Sequence, residues 1–227
     1  MKKTTGFIFD FDGLIVDTEW PEYVAWSEIY QEFNQELTIP TWLQAVGHVQ
    51  NFDPRADLEL KVGKILDWGI LDKRRSERHL SLVAEAMLLP GVEEMIREGQ
   101  KAGLRIGVAS NSNREWVTRG LARVGLDSIV EVVRTRDDVM TPKPAPDVYL
   151  SCLEALDLKP EETLAFEDSQ PGVQAAKRAG LYVIAVPNRL TRFHALEEAD
   201  HVVESLEGAW QKIHSGEFWN PLTKSNT

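Results

Sequence analysis

Short apolar runs recur along the chain, each bounded by Gly, Pro, Asp or Asn, and helical patterns separate most of them. The runs are "TTGFIFD", "GLRIGVASN", "SIVEVVRT", "ETLAFED" and "LYVIAVP", with "DHVVES" as a last candidate. Their length and content are those of strands. "GVEEMIREGQKAG" sets Val92, Met95, Ile96 and Ala102 on one side and stops at Gly103. "NREWVTRGLARVG" repeats the design with Trp116, Val117, Leu121 and Val124. "PAPDVYLSCLEALDL" carries Val148, Cys152, Leu153 and Leu156, and "SQPGVQAAKRAG" carries Val173, Ala176 and Ala179 before Gly180. Apolar strands alternating with helices predict an α/β fold, an open parallel sheet covered on both faces.

One connection breaks the rhythm. More than ninety residues separate the end of the first run near Asp10 from the second near Leu104, where a crossover needs only a dozen or so. The surplus is helical in pattern. "EYVAWSEIYQEF" spaces Tyr23, Trp26, Ile29, Tyr30 and Phe33 as one face, "ADLELKVGKILDWG" does so with Leu58, Val62, Ile65 and Leu66, and "ERHLSLVAEAM" with Leu80, Val83, Ala84 and Met87. "PTWLQAVG" adds a short helix. Residues 17–85 are therefore expected to form a small helical domain inserted into a core of 1–16 and 86–220. The tail 221–227 is expected to be mobile.

Composition excludes several classes. The net charge is 25 − 36 = −11, which disfavours a polyanionic partner such as nucleic acid. Cys152 is the only cysteine. It excludes an internal disulfide and reads as a small core residue. No apolar run reaches membrane-spanning length. The stretch after Lys2 and Lys3 is broken at once by Asp10 and Asp12, which argues against a signal peptide. A cytoplasmic location is expected.

In open α/β sheets ligands sit beyond the carboxyl ends of the strands. The first run ends in Asp10, with Asp12 just past it. The second ends in Ser110, followed by Asn111. The loop after "SIVEVVRT" reaches Lys143, and "ETLAFED" ends in Glu167 and Asp168. Four loops thus carry carboxylates, a hydroxyl and an ammonium to one edge. With "DFDGLIVDTE", "VASNS", "KPAP" and "FEDSQPGVQAAKRAG" in this order, the chain resembles the haloacid dehalogenase superfamily of phosphotransferases, over essentially its whole length. "LPGV" before the crossover helix resembles the branch of β-phosphoglucomutases and small sugar-phosphate phosphatases.

The resemblance implies a Rossmann-like doubly wound core with an inserted α-helical cap. It makes Asp10 the nucleophile and Asp12 the acid and base, a carboxyl able both to give and to take a proton. It assigns Mg²⁺ the carboxylates of Asp10 and Asp168 and the backbone carbonyl of Asp12, with Glu167 behind them. Mg²⁺ prefers hard oxygen ligands at about 2.0–2.1 Å. Lys143 would neutralise charge between Asp10 and the phosphoryl group, and Ser110 with the Asn111 N–H would bind its oxygens. Pro142 stands where the family commonly has glycine. Members that dehalogenate lack an aspartate at the Asp12 position, so dehalogenation is disfavoured. Glu22 stands where mutases carry histidine, and Gln50 and Asn51 stand where they carry arginine. Hydrolysis of a small phosphomonoester, a sugar phosphate or similar metabolite, is therefore expected. Mutase-type transfer, transfer to a second organic acceptor and a non-catalytic binding module are the alternatives. His48, Gln50, Asn51 and Arg75 are candidate substrate contacts from the cap. A monomer or weak homo-oligomer is expected, with neither nucleic acid nor membrane as partner.

Overall fold

The structure is a computed structural model that describes residues 4–44, 52–193 and 196–218. Six parallel strands form one sheet: β1 (Gly6–Phe9), β2 (Arg105–Ala109), β3 (Val132–Arg134), β4 (Thr163–Glu167), β5 (Tyr182–Ala185) and β6 (His201–Val202). Their order is β3-β2-β1-β4-β5-β6. The chain starts in the middle, goes out to one edge, then returns past β1 to the other. The strands either side of β1 therefore leave in opposite directions, and a crevice opens at its carboxyl end. Every connection is parallel, so all the strand ends that carry polar residues lie on one edge.

Helices cover both faces. Phe7, Phe9, Val108 and Phe166 point to one face, where they join Val92, Met95 and Ile96 of α5 (Val92–Lys101) and Val117 and Leu121 of α6 (Arg114–Arg123). Ile8, Ala165 and Val183 point to the other, against Val148 and Cys152 of α7 (Asp147–Ala155) and Val173 and Ala176 of α8 (Gln170–Arg178). Burial on both faces explains the unbroken apolar strands. Cys152 is a buried core residue, and burial pushes its thiol up to about 12.

Among the described residues four helices lie between β1 and α5: α1 (Glu19–Glu32), α2 (Ile39–Trp42), α3 (Pro54–Val62) and α4 (Trp68–Glu85). Trp26, Ile29, Tyr30, Trp42, Leu58 and Leu71 make their own core, joined by Leu190 from the loop after β5. The salt bridges Glu22–Arg75, Glu28–Arg78 and Glu32–Arg74 tie α1 to α4. The two chain segments leading in and out run side by side. Val16 bridges Leu88, and the Leu89 N–H donates to the Ile15 carbonyl at 3.0 Å.

Three local expectations are corrected. The helix expected over 56–69 is two helices, because Gly63 takes a left-handed φ of 73° and closes α3. Ile65 falls in that break and is exposed. Leu80 and Met87 are exposed rather than core, and Gly99 replaces Ala102 on the buried side of α5. The third run pairs only over Val132–Arg134, and Ile129 and Val130 are buried without joining the sheet. The tail 221–227 lies outside the described residues. Among the described residues no helix is long and apolar enough to cross a membrane.

Candidate active site

Register places the site. Phe9 pairs with Val108 on one side and Phe166 on the other, so Asp10 emerges between the ends of β2 and β4. Its N–H still donates to the Phe166 carbonyl at 3.0 Å. Lys143, on the loop before α7, reaches it from below. The ammonium donates to Asp10 Oδ1 at 2.5 Å, to Glu167 Oε1 at 2.6 Å and to the Ala109 carbonyl at 2.8 Å. Three donors meet three acceptors, with Lys143 only 4% exposed. Burial pulls its pKa down, but the Asp10 and Glu167 charges outweigh it and hold the ammonium protonated. Asn111 fixes the loop by a reciprocal pair, Lys143 N–H to Oδ1 at 2.8 Å and Nδ2 to the Lys143 carbonyl at 3.2 Å.

Glu167 is fully engaged. Oε1 accepts from Lys143 and from the Tyr149 hydroxyl at 2.6 Å, and Oε2 from the Asp168 N–H and the Ser169 hydroxyl. A side chain on Gly172 would run into this carboxylate, so the glycine in the first turn of α8 makes room for Glu167. Ser169 caps α8 through the Gly172 N–H, which leaves Asp168 without a capping task. Asp168 Oδ2 accepts from Asn188 Nδ2 at 2.9 Å. Gly13 turns the chain over it with φ 77°, and a Cβ there would lie 2.6 Å from Asp168 Oδ2.

Asp12 points elsewhere. Oδ1 accepts from the Thr18 hydroxyl and the Trp116 indole N–H, both at 2.8 Å, and Oδ2 accepts from the hydroxyls of Ser112 at 2.6 Å and Ser110 at 3.3 Å. Hydroxyls can reverse from donor to acceptor, so this clamp survives protonation of the carboxyl. Ser110 is brought into the site, but its hydroxyl faces Asp12. Among the described residues the N–H groups of Phe11, Asp12 and Asn111 form no hydrogen bond, and they are free to receive an anion.

The donor set fits a hard divalent cation. Carboxylate oxygens of Asp10, Glu167 and Asp168 lie within 4.8 Å of one another, all buried. Burial pushes the Asp10 carboxyl well above its ordinary range, with Lys143 opposing and Glu167 and Asp12 adding. Burial, then Glu19 and Asp10, do the same to Asp168. A bound cation removes that penalty. Tyr149, Thr18, Ser112, Trp116, Glu19 and Asn188 complete the site and escaped the sequence reading. Aromatic residues at helical spacing read as core, and the "DTE" of the first motif was the one available hint toward Thr18 and Glu19. Arg75 is turned to Glu22 at 2.5 Å and lies over the Trp26 ring. His48, Gln50 and Asn51 lie outside the described residues, and nothing in the structure explains Pro142.

A parallel sheet gathers buried carboxylates and a lysine at a crevice beside the inserted helices, a set of groups able to hold a cation and an anionic ligand. The family described as haloacid dehalogenase-like hydrolase matches residues 7–186, and the chain belongs to it. It is 41% identical to the protein YhcW of Bacillus subtilis over 199 residues, 88% of this chain and 90% of that one. It is 28% identical to the fructose-1-phosphate phosphatase YqaB of Escherichia coli over 189 residues, 82% and 97% of the two chains. The crystal structure of CbbY from Rhodobacter sphaeroides in complex with phosphate superposes with a TM-score of 0.71 at 28% identity, covering 89% of this chain and 95% of that one.

Proposed function

We propose that the protein is a Mg²⁺-dependent phosphatase that hydrolyses a small phosphomonoester through an aspartyl-phosphate on Asp10. The observation that carries this is the convergence of Asp10, Lys143 and Asp168 from separate loops within one buried cluster, beside free backbone N–H groups. Phosphatases such as YqaB among its relatives support the same chemistry. Asp10 and Asp168, with the Asp12 carbonyl, would hold the ion, which when bound offsets the charge of the phosphoryl oxygens.

The chain's own residues do the rest. A carboxylate oxygen of Asp10 attacks phosphorus, and the bond from phosphorus to the ester oxygen breaks. Asp12 gives its proton to the leaving alkoxide. Asp12 then takes a proton from water as the water oxygen attacks phosphorus, and the bond to Asp10 breaks to release phosphate. Lys143 holds Asp10 and balances charge throughout. The helices of 17–85 act as a lid that selects the ester and keeps out bulk water.

Asp10→Asn tests the nucleophile. Phosphate release in Mg²⁺ over a panel of sugar phosphates, nucleotides and polyol phosphates is expected to vanish in the variant, and EDTA is expected to stop the native enzyme. Steady-state turnover by Asp10→Asn refutes the mechanism. A mutase is the second reading, favoured by one feature: His79 of α4 brings an imidazole to Glu22, at 3.1 Å. A mutase isomerises a sugar phosphate without releasing phosphate, so product analysis separates the two.

A further inference from the structure

The Lys143 ammonium has more partners to serve than hydrogens. All three hydrogens are taken, by Asp10 Oδ1, Glu167 Oε1 and the Ala109 carbonyl. To reach a phosphoryl oxygen it must release one of them. The bond to Asp10 holds the nucleophile, so giving it up works against the attack. Glu167 Oε1 has a second donor at hand, the Tyr149 hydroxyl at 2.6 Å. A carboxylate only accepts, so the phenol is the donor. Oε2 is held by the Asp168 N–H at 3.2 Å and the Ser169 hydroxyl at 3.3 Å. When Lys143 turns away, Glu167 therefore keeps a donor on each oxygen. Glu167 and Tyr149 are both 0% exposed, and in so dry a place a carboxylate oxygen without a donor is costly.

Tyr149 also braces the ammonium itself. It stands in the first turn of α7, and Lys143 Nζ lies over its ring, 4.9 Å from the centroid. The face of the ring attracts the charge whichever way the N–H bonds point. That attraction persists while the hydrogens change partners. One buried side chain thus serves both members of the pair, Glu167 through its hydroxyl and Lys143 through its ring.

We propose that Tyr149 is a positioning residue of the reaction: its hydroxyl keeps Glu167 paired when Lys143 turns a hydrogen from Glu167 to the phosphoryl group, and its ring holds the ammonium through that turn. This rests on the phosphatase reading.

The full chain in Mg²⁺ is assayed with p-nitrophenyl phosphate, with inorganic phosphate as the competing ligand. Tyr149→Phe keeps the ring and loses the hydroxyl. It is expected to raise Ki for phosphate and lower kcat, each by ~10-fold, because Lys143 stays with Glu167. Tyr149→Leu, which loses the ring as well, is expected to add at least a further ~3-fold on Ki. Half-saturating Mg²⁺ is expected to move by less than ~3-fold, whereas loss of a residue that supported the cation's ligands would cost ~10-fold or more. If Tyr149 only fills the core, Phe restores native Ki and kcat and only Leu loses them, which overturns the inference. A rise in the Mg²⁺ requirement larger than the rise in Ki overturns it too, by placing the role of Tyr149 at the cation. Either result leaves the phosphatase reading standing; no release by the native chain overturns both. If Tyr149→Phe fails to fold by circular dichroism, native protein labelled with 3-fluorotyrosine decides. Its Tyr149 fluorine resonance, assigned by replacing Tyr23, Tyr30 and Tyr182 with phenylalanine, is expected to shift when phosphate and Mg²⁺ saturate the site, and an unmoved resonance overturns the proposal.

Discussion

Glu19 illustrates what a buried edge does to one side chain. Burial and the neighbouring Asp12, Asp17 and Glu167 charges push its carboxyl from an ordinary 4.5 up to about 7, against a hydrogen bond from Asn188. Folded, it holds a proton that the unfolded chain has already released. Its contribution to stability is thus fully present below pH 4.5 and lost as pH rises through about 7. Urea unfolding of the metal-free protein is expected to show native stability falling relative to Glu19→Gln across that window; a constant difference refutes the assignment. Asn188 offers two hydrogens to three acceptors, the Gly13 carbonyl, Glu19 and Asp168, so its position depends on all three. Asp10, Asp12, Lys143 and Asp168 stood out in the sequence because each lies just past a strand or within a short motif. Asn188 was not, since nothing in "VPNRL" tells that its amide meets a carboxylate twenty residues earlier.

Elements position these side chains, and the caps are where sequence and geometry meet. Asn113 opens α6 by accepting from the Trp116 N–H at 2.8 Å, which orients the indole whose Nε1 grips Asp12. Asn113→Ala is expected to destabilise the fold by about 1 kcal/mol and Asn113→Asp to restore it, as read by chemical denaturation; equal stability of native and alanine forms counts against the cap. Strand and helix identity was legible from periodicity, while the buried face was not always. Leu80, within α4, and Met87, just beyond its end, fit the helical spacing yet remain exposed, because periodicity aligns residues on a face without saying whether anything packs there. The break at Gly63 was written in the sequence as a glycine, but only its left-handed backbone shows that it ends a helix.

The whole molecule gathers charge that its parts cannot tolerate alone. With Asp10 and Asp168 both pushed up by burial, the metal-free protein loses stability as pH rises through the raised values, since the folded state favours the protonated carboxyls. A divalent cation reverses this by favouring the ionised forms. Mg²⁺ is expected to raise Tm, and to do so more at about pH 8 than at about pH 5.5; a Tm indifferent to Mg²⁺ at both argues against a metal at this cluster. The sequence by itself determined the α/β class and the four signatures of the family, because strand ends and glycine stops are local properties of the chain. Only the tertiary structure decided that Asp12 is clamped by Thr18, Ser110, Ser112 and Trp116, that Glu167 is saturated, and that Glu22 holds both Arg75 and His79. Apart from the local bonds of Thr18 to Asp12 and of Asp168 and Ser169 to Glu167, those contacts join residues far apart in sequence, and partner choice at such distances follows from packing, on which local pattern is silent.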